Sequence, residues 1–201
     1  MKCFLPSLVT ILLATAAPMM TLTPQADKNA VHSLSGVILI DDMEIVEIVP
    51  VKDKSKSVII RLTSETYVAD AVSGKPASLI NRKNDNVAAY YKPGKNGGEA
   101  IALIINIPED YLPPVYAKVM CVIRNSGQLS VVTDTGIIVT INEGTPIEPF
   151  LTRGGASMDD VTENADLLLW NQALTTSIPA RTTANKAVLL SNGKSESNEE
   201  E

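Results

Sequence analysis

Residues 57–70, SVIIRLTSETYVAD, have a counterpart about 80 residues further on, where residues 136–149 read GIIVTINEGTPIEP. Three more pairs of segments follow in the same order: GKPASL with RGGASM, NDNVAAYY with NADLLLWN, and AIALII with KAVLL. The period exceeds that of the usual solenoid units. Each copy is therefore predicted to be a small domain of its own.

Short runs rich in Val and Ile, separated by Gly, Pro, Asn, Asp and Ser, recur along both copies and predict β-strands. Each copy is expected to contain about five strands, with one short helical turn between the third and the fourth. In the second copy, Ser157 is the expected cap of that turn, with Asp159 and Asp160 at its start. The sequence thus predicts an all-β protein of two tandem OB-like Greek-key barrels that pack against each other.

The repeat also sets the expected domain boundaries. A signal peptide is expected at 1–17, a flexible N-terminal segment at 18–33, repeat 1 at 34–107, a Pro-rich linker at 108–115, repeat 2 at 116–190 and a disordered acidic tail at 191–201. The linker contains Pro108, Pro113 and Pro114, which stiffen it. The tail is charged and contains no apolar residue.

The N-terminus predicts export. Lys2 precedes an apolar segment from Phe4 to about Leu13, and the small residues 14–17 resemble a cleavage site. A retained membrane anchor is the alternative, but the segment is short of the roughly 20 apolar residues that span a bilayer. We therefore expect a secreted protein that lies outside the cell or at its surface. After cleavage it would have no membrane span.

Composition limits the partners. The chain has 45% hydrophobic and 20% charged residues and a formal net charge of −6, which suits a globular protein with an acidic surface. Nucleic acid and anionic lipid are not expected as partners, because both require clustered cations. Loss of Cys3 with the signal peptide would leave Cys121 alone, and it is expected to be a buried thiol in a strand rather than a reactive one.

The sequence contains few residues from which a catalytic or metal-binding site could be built. His32 is the sole histidine, so a histidine-dependent relay has one candidate base, which lies in the predicted flexible segment. Zinc would have only His32 and Cys121 as ligands of the type that it prefers. The sequence therefore predicts no enzyme activity, no catalytic residue, no cofactor and no metal site, although a hydrolase with a pocket between the barrels stays a third alternative.

Acidic clusters offer oxygen ligands to calcium in principle. Asp41, Asp42, Glu44 and Glu47 follow the first apolar run, but a strand would place Asp41 and Asp42 on opposite faces. A solvated hairpin turn is the favoured interpretation.

The order of an apolar hairpin, TYVADAVSGKPASL, NDNVAAYYKP and AIALIINIPED resembles a family of secreted Firmicutes proteins with tandem small β-barrel repeats, some of them similar to the copper amine oxidase N-terminal domain. VTINEGTPIEPF, SMDDVTENADLLLW and TTSIPA resemble the partner repeat. The resemblance implies the tandem barrels but no oxidase chemistry. It also implies a loop like TTSIPARTT in both repeats, whereas repeat 1 has the shorter KPGKNGGE, so a symmetric two-loop site is not expected.

The stretch TTSIPARTT (175–183) is predicted to be a long hairpin loop of barrel 2, since the following KAVLL has to close that barrel. Trp170, just before it, is expected in the core, with the floor of a contact as the alternative. The candidate interaction residues are Thr176, Ser177, Ile178, Pro179 and Arg181. Two functions fit: an interaction or surface-structural module of the cell envelope, in contact with an envelope protein or a wall polymer, and a self-assembling filament subunit whose segment 31–40 adds to a neighbour's sheet.

Overall fold

The structure is a computed structural model that describes residues 30–42, 44–95, 97–150, 154–171 and 174–193. The predicted signal peptide, residues 18–29 and tail residues 194–201 lie outside the described residues. The strands are β1 His32–Asp41, β2 Ile45–Pro50, β3 Val58–Arg61, β4 Tyr67–Asp70, β5 Asn86–Gly94, β6 Gly97–Ile105, β7 Val115–Asn125, β8 Gln128–Thr133, β9 Ile138–Asn142, β10 Ile147–Pro149, β11 Asp166–Asn171 and β12 Arg181–Ser191. A 3₁₀ turn spans Met158–Asp160.

The two halves share one topology, which confirms the duplicated fold. Strand order in the first half is β3-β2-β1-β5-β6-β4, and the second half, read from β9, is β9-β8-β7-β11-β12-β10. Parallel pairings of β3 with β6 and of β9 with β12 close each sheet into a ring of five strands. We call the halves barrel 1 (β1–β6) and barrel 2 (β7–β12).

Among the described residues, each barrel consists of the ring of about five strands that the sequence predicts and one extra strand. The extra ones, β4 and β10, have only four and three residues and pair in parallel with β6 and β12 on one side. With four and three residues, they are at or below the shortest length at which alternation of apolar and polar residues is recognisable. Closure of the five-stranded ring hides the sheet edges that an open sheet would expose.

Among the described residues, the helical turn is found in barrel 2. The Ser157 side chain accepts from Asp159 N, while the Asp160 carboxylate accepts from Ser157 N, which forms a capping box. Arg124 holds the turn from outside, donating to Met158 O at 2.6 Å and Val161 O at 2.8 Å. In barrel 1 the corresponding segment forms a non-helical turn at 80–81, so the predicted helical turn of that repeat is wrong.

Boundaries differ from the prediction at both ends. β1 begins at His32, so residues 32–33 belong to a strand rather than to the flexible segment. Ser191 ends β12, and the Asn192 carbonyl accepts a hydrogen bond from the Thr162 hydroxyl, so residues 191–192 belong to barrel 2. Val115, the last residue of the predicted linker, starts β7.

The described residues form three apolar clusters in the core. One fills barrel 1 and one fills barrel 2. The third lies between them, and its members are Tyr67, Ala69, Ala71, Ala88, Tyr90, Ala102, Ile104, Leu168, Trp170, Val188 and Leu190. We call this third cluster the inter-barrel core; it confirms that the two barrels pack face to face.

Candidate interaction surface

The predicted loop lies where the sequence places it. Residues 174–180 join β11 to β12, two antiparallel strands of barrel 2. The end of the stretch, Thr182 and Thr183, belongs to β12, where both residues pair with β9.

The loop holds its shape through its own hydrogen bonds. Thr175 N donates to Arg181 O at 2.8 Å, and Arg181 N donates to the Thr175 hydroxyl at 2.9 Å, which ties the two ends together. Inside, the Thr175 and Ser177 hydroxyls lie 2.7 Å apart, and Ser177 Oγ donates to Pro179 O at 2.9 Å. The hydroxyl residues therefore act as local backbone partners.

Ile178 is the tip of this loop. Its relative exposure is 101%, so its side chain contacts neither barrel, and the peptide bond to Pro179 is cis. Thr176 and Pro179 are also exposed, and Arg181 opens β12 with an exposed side chain. The five candidate residues thus lie together on one exposed hairpin, as the sequence predicts.

The equivalent hairpin of barrel 1 is much tighter. β5 and β6 pair as far as Gly94 and Gly97, with only two residues between them. The longer loop is therefore a property of barrel 2.

Other sequence candidates lie apart from the loop. His32 sits at the start of β1 with its ring centroid 5.8 Å from that of Tyr91. Asp42 and Glu44 are exposed in the connection from β1 to β2, which agrees with a solvated turn. Among the described residues, no group of three His, Cys, Asp or Glu side chains is placed to hold a metal ion.

Cys121 differs from its prediction. It lies on β7 next to a register shift and is half-buried, whereas a fully buried residue was expected. The other cysteine of the sequence, Cys3, lies outside the described residues.

Trp170 was predicted to be either a core residue or the floor of a contact. It is both, because it belongs to the inter-barrel core, where the two barrels meet. It is 6% exposed, and its Nε1 donates to Ala71 O of barrel 1 at 2.7 Å. Lys186, which the sequence did not single out, lies beside it: its Nζ is 5.4 Å from the indole centroid, 2.8 Å from Glu148 Oε2 and 2.5 Å from Gly74 O. A half-buried ammonium thus joins barrel 2 to a turn of barrel 1.

Tyrosines complete this contact. Tyr90 donates its hydroxyl to Pro114 O, which fixes the linker to barrel 1, and its ring stacks on Tyr116. Tyr67 packs edge-on against Phe150 of barrel 2 with centroids 4.9 Å apart. Burial raises the pKa of both Tyr67 and Tyr90 to about 12, so both are neutral donors at physiological pH.

Asp70 anchors the turn that Lys186 contacts. Its carboxylate accepts from Ser73 N and Ser73 Oγ, both at 2.8 Å, and from Asn106 Nδ2 at 2.8 Å. Hydrogen bonds from the Ser73 backbone, the Asn106 side chain and the Ser73 side chain lower the pKa of Asp70 to about 2. The ionised Asp70 carboxylate holds the turn, and at neutral pH it has no proton to donate.

Comparison with known proteins adds little. No family model matches the chain. No curated protein matches it either. Among solved structures, a murine DNA-binding protein bound to double-stranded DNA is similar with a TM-score of 0.29 and 9% identity, covering 82% of this chain and 99% of its own. The prediction that excluded nucleic acid as a partner is contradicted by this match and is not kept, while a similarity at that TM-score carries no argument about what this chain binds. No helix among the described residues has the length and apolar character to cross a membrane.

Proposed function

We propose that the protein is a secreted, non-enzymatic interaction module of the cell envelope that presents the loop 174–180 from a two-barrel scaffold. The observation that carries the proposal is the fully exposed Ile178 at the tip of a loop closed by its own hydrogen bonds. Because the loop is already ordered, docking it onto a partner loses little conformational entropy. Burial of one isoleucine on binding would contribute about 1.5–3 kcal/mol.

The scaffold supports this role by fixing the loop in space. Trp170 is one residue from the end of β11, and it is tied to barrel 1 through Ala71. The strand that leads into the loop is therefore held by both barrels. Interaction loops on a rigid β-scaffold are a common arrangement of binding proteins.

The N-terminal pattern of a basic residue, an apolar segment and small residues supports the secreted part of the proposal. The resemblance to secreted tandem-barrel proteins supports the envelope part. The alternative, a filament built by exchange of segment 31–40, is disfavoured by the pairing of β1: residues 32–37 pair with β5, and residues from Gly36 to Asp41 pair with β2. Exchange of that strand would require breaking both ladders.

The experiment compares binding of the fluorescently labelled exported protein to cells that produce it. The Ile178→Ser variant should bind at least about tenfold more weakly, as expected from loss of one buried isoleucine. Ile80→Ser is the matched control, because Ile80 is another exposed isoleucine, 68% accessible, in barrel 1. Equal binding of the wild type and Ile178→Ser would refute the loop as the contact segment, and long polymers in sedimentation would favour the filament.

A further inference from the structure

A second surface lies on barrel 1, away from the loop just described. A cleft of about 340 Å³ opens between the outer face of β2 and β3 and the β5–β6 hairpin. Its lining contains three cations and one carboxylate, with aliphatic side chains and glycines between them: Arg61, Lys92, Lys95, Glu99, Ile45 and Ile59. The three cationic side chains belong to exposed residues.

Glycines explain why these cations meet. Gly97 has φ +117°, and a Cβ on it would lie 2.2 Å from Ile59 O, so only glycine lets the hairpin lie against β3. A Cβ on Gly98 would lie 2.2 Å from the ring of Tyr91. The close approach brings the β5–β6 hairpin, which carries Lys92 on β5 and Lys95 in its turn, next to β3, which carries Arg61.

Charge is segregated around this cleft. Residues 45–61 and 92–99 contain six basic and three acidic side chains, although the whole chain has a net charge of −6. The loop 51–57 supplies exposed Lys52, Lys54 and Lys56 and leads directly into β3. Of its lysines, Lys56 forms a 3.7 Å ion pair with Asp53. This end of barrel 1 is thus positive on an otherwise acidic protein.

Barrel 2 has no such feature among its described residues. Thr140 occupies the repeat position of Arg61, and the loop 174–180 is uncharged. The shorter loop between β8 and β9 begins with Asp134 rather than with lysines. The positive end is therefore found in one copy of the duplicated unit and is not a consequence of the barrel topology.

We infer that this cleft of barrel 1 binds the phosphates of a single-stranded phosphodiester polymer. Arginine and lysine are the side chains that bind phosphate oxygens, and their separation over two segments suits successive phosphates rather than one anion. The volume is at the small end of the range for ligand pockets, which suits one chain and not a duplex. The described residues that line the cleft are aliphatic residues, glycines, a proline and charged residues. Bases stack on aromatic side chains, so this lining favours contacts to phosphates over contacts to bases.

The test uses two fluorescent 12-unit probes with the same phosphodiester backbone: oligothymidylate and an abasic oligomer. Both should bind the exported protein with affinities within about twofold of each other. With three phosphate contacts, the logarithm of the association constant should fall against the logarithm of salt concentration with a slope of about −2. The double variant Lys92→Gln/Lys95→Gln should bind at least tenfold more weakly at low salt, with a slope of about −0.7.

The matched control is Lys75→Gln/Lys83→Gln, which removes two exposed lysines of barrel 1 outside the cleft and changes the net charge equally. It should retain binding within about twofold, and thermal melts should show that both double variants are folded. Equal weakening of both double variants would show attraction by overall charge and overturn the site. So would absence of binding by the wild type at low salt, or binding of oligothymidylate without the abasic oligomer. Ile178→Ser should leave probe binding unchanged, which separates this inference from the proposed function.

Discussion

Replacing Trp170 with phenylalanine tests whether the two barrels stabilise each other. Phenylalanine keeps an aromatic ring in the inter-barrel core but has no donor for Ala71 O, which the indole reaches at 2.7 Å. A buried carbonyl left without its partner costs about 1–3 kcal/mol. The smaller ring leaves a void that adds about 1–2 kcal/mol. The free energy of unfolding should therefore fall by about 2–5 kcal/mol, and the melting temperature by roughly 5–15 °C for a domain of this size.

Far-UV circular dichroism is the suitable readout, because Trp170 is the sole tryptophan and its fluorescence is lost with the substitution. Leu129→Val is the control, since Leu129 is 1% exposed inside barrel 2 and outside the inter-barrel core. It should cost only about 1 kcal/mol. A loss below 1 kcal/mol for Trp170→Phe, or a larger loss for the control, would refute the conclusion that this side chain holds the barrels together.

Three further predictions follow from single residues. Asp70 has its pKa lowered to about 2, so its stabilising contribution is present above pH 4 and is lost as the pH falls from about 4 to 2; Asp70→Asn should flatten this part of the stability profile in urea titrations, and an unchanged profile would contradict the assignment. Gly97→Ala should destabilise the protein by at least about 1–3 kcal/mol more than Gly144→Ala. Both glycines have positive φ, but only a Cβ on Gly97 would lie against Ile59 O. Equal losses of unfolding free energy in chemical denaturation would argue against the close approach. Mass spectrometry of the exported protein should find Pro18 as its first residue, as cleavage after residue 17 requires, and a mass that includes residues 1–17 would contradict the signal peptide.

The repeat made the topology predictable. Matching segments in matching order required the two halves to fold alike, and strand order and ring closure agree between them. The candidate loop was predictable too, since Pro179 and the hydroxyl residues interrupt two apolar runs. β4 and β10 were missed as separate strands because each makes a single short parallel pairing. The barrel 1 turn was predicted as helical because the two copies were expected to fold alike, but the capping box of Ser157 and Asp160 is specific to barrel 2.

The strands of the inter-barrel core carry a recognisable pattern in the sequence. NVAAYY, AIALII, DLLLW and KAVLL are continuous apolar runs, whereas QLSVV in barrel 2 alternates. Continuous runs are typical of strands that are buried on both faces. In the structure, Leu167 and Leu169 face the interior of barrel 2, while Leu168 and Trp170 face barrel 1. The hydrogen-bond partners across the inter-barrel core could not be predicted from the sequence, because the Trp170 donor and its Ala71 acceptor are 99 residues apart in the chain.

Comparison of the two copies distinguishes the positions that they share from the hairpins in which they differ. Tyr90 and Trp170 occupy the same repeat position, and each donates a side-chain hydrogen bond out of its own strand pair to a backbone carbonyl, of Pro114 and Ala71 respectively. Packing of the two units therefore depends on positions that both copies retain. The hairpins that follow these two residues differ: one is closed by glycines beside a basic cleft, and the other extends into an uncharged loop with an exposed tip. Since the shared topology accounts for neither hairpin, the two differences are the places where binding is expected, and substitutions there should change binding without changing the fold.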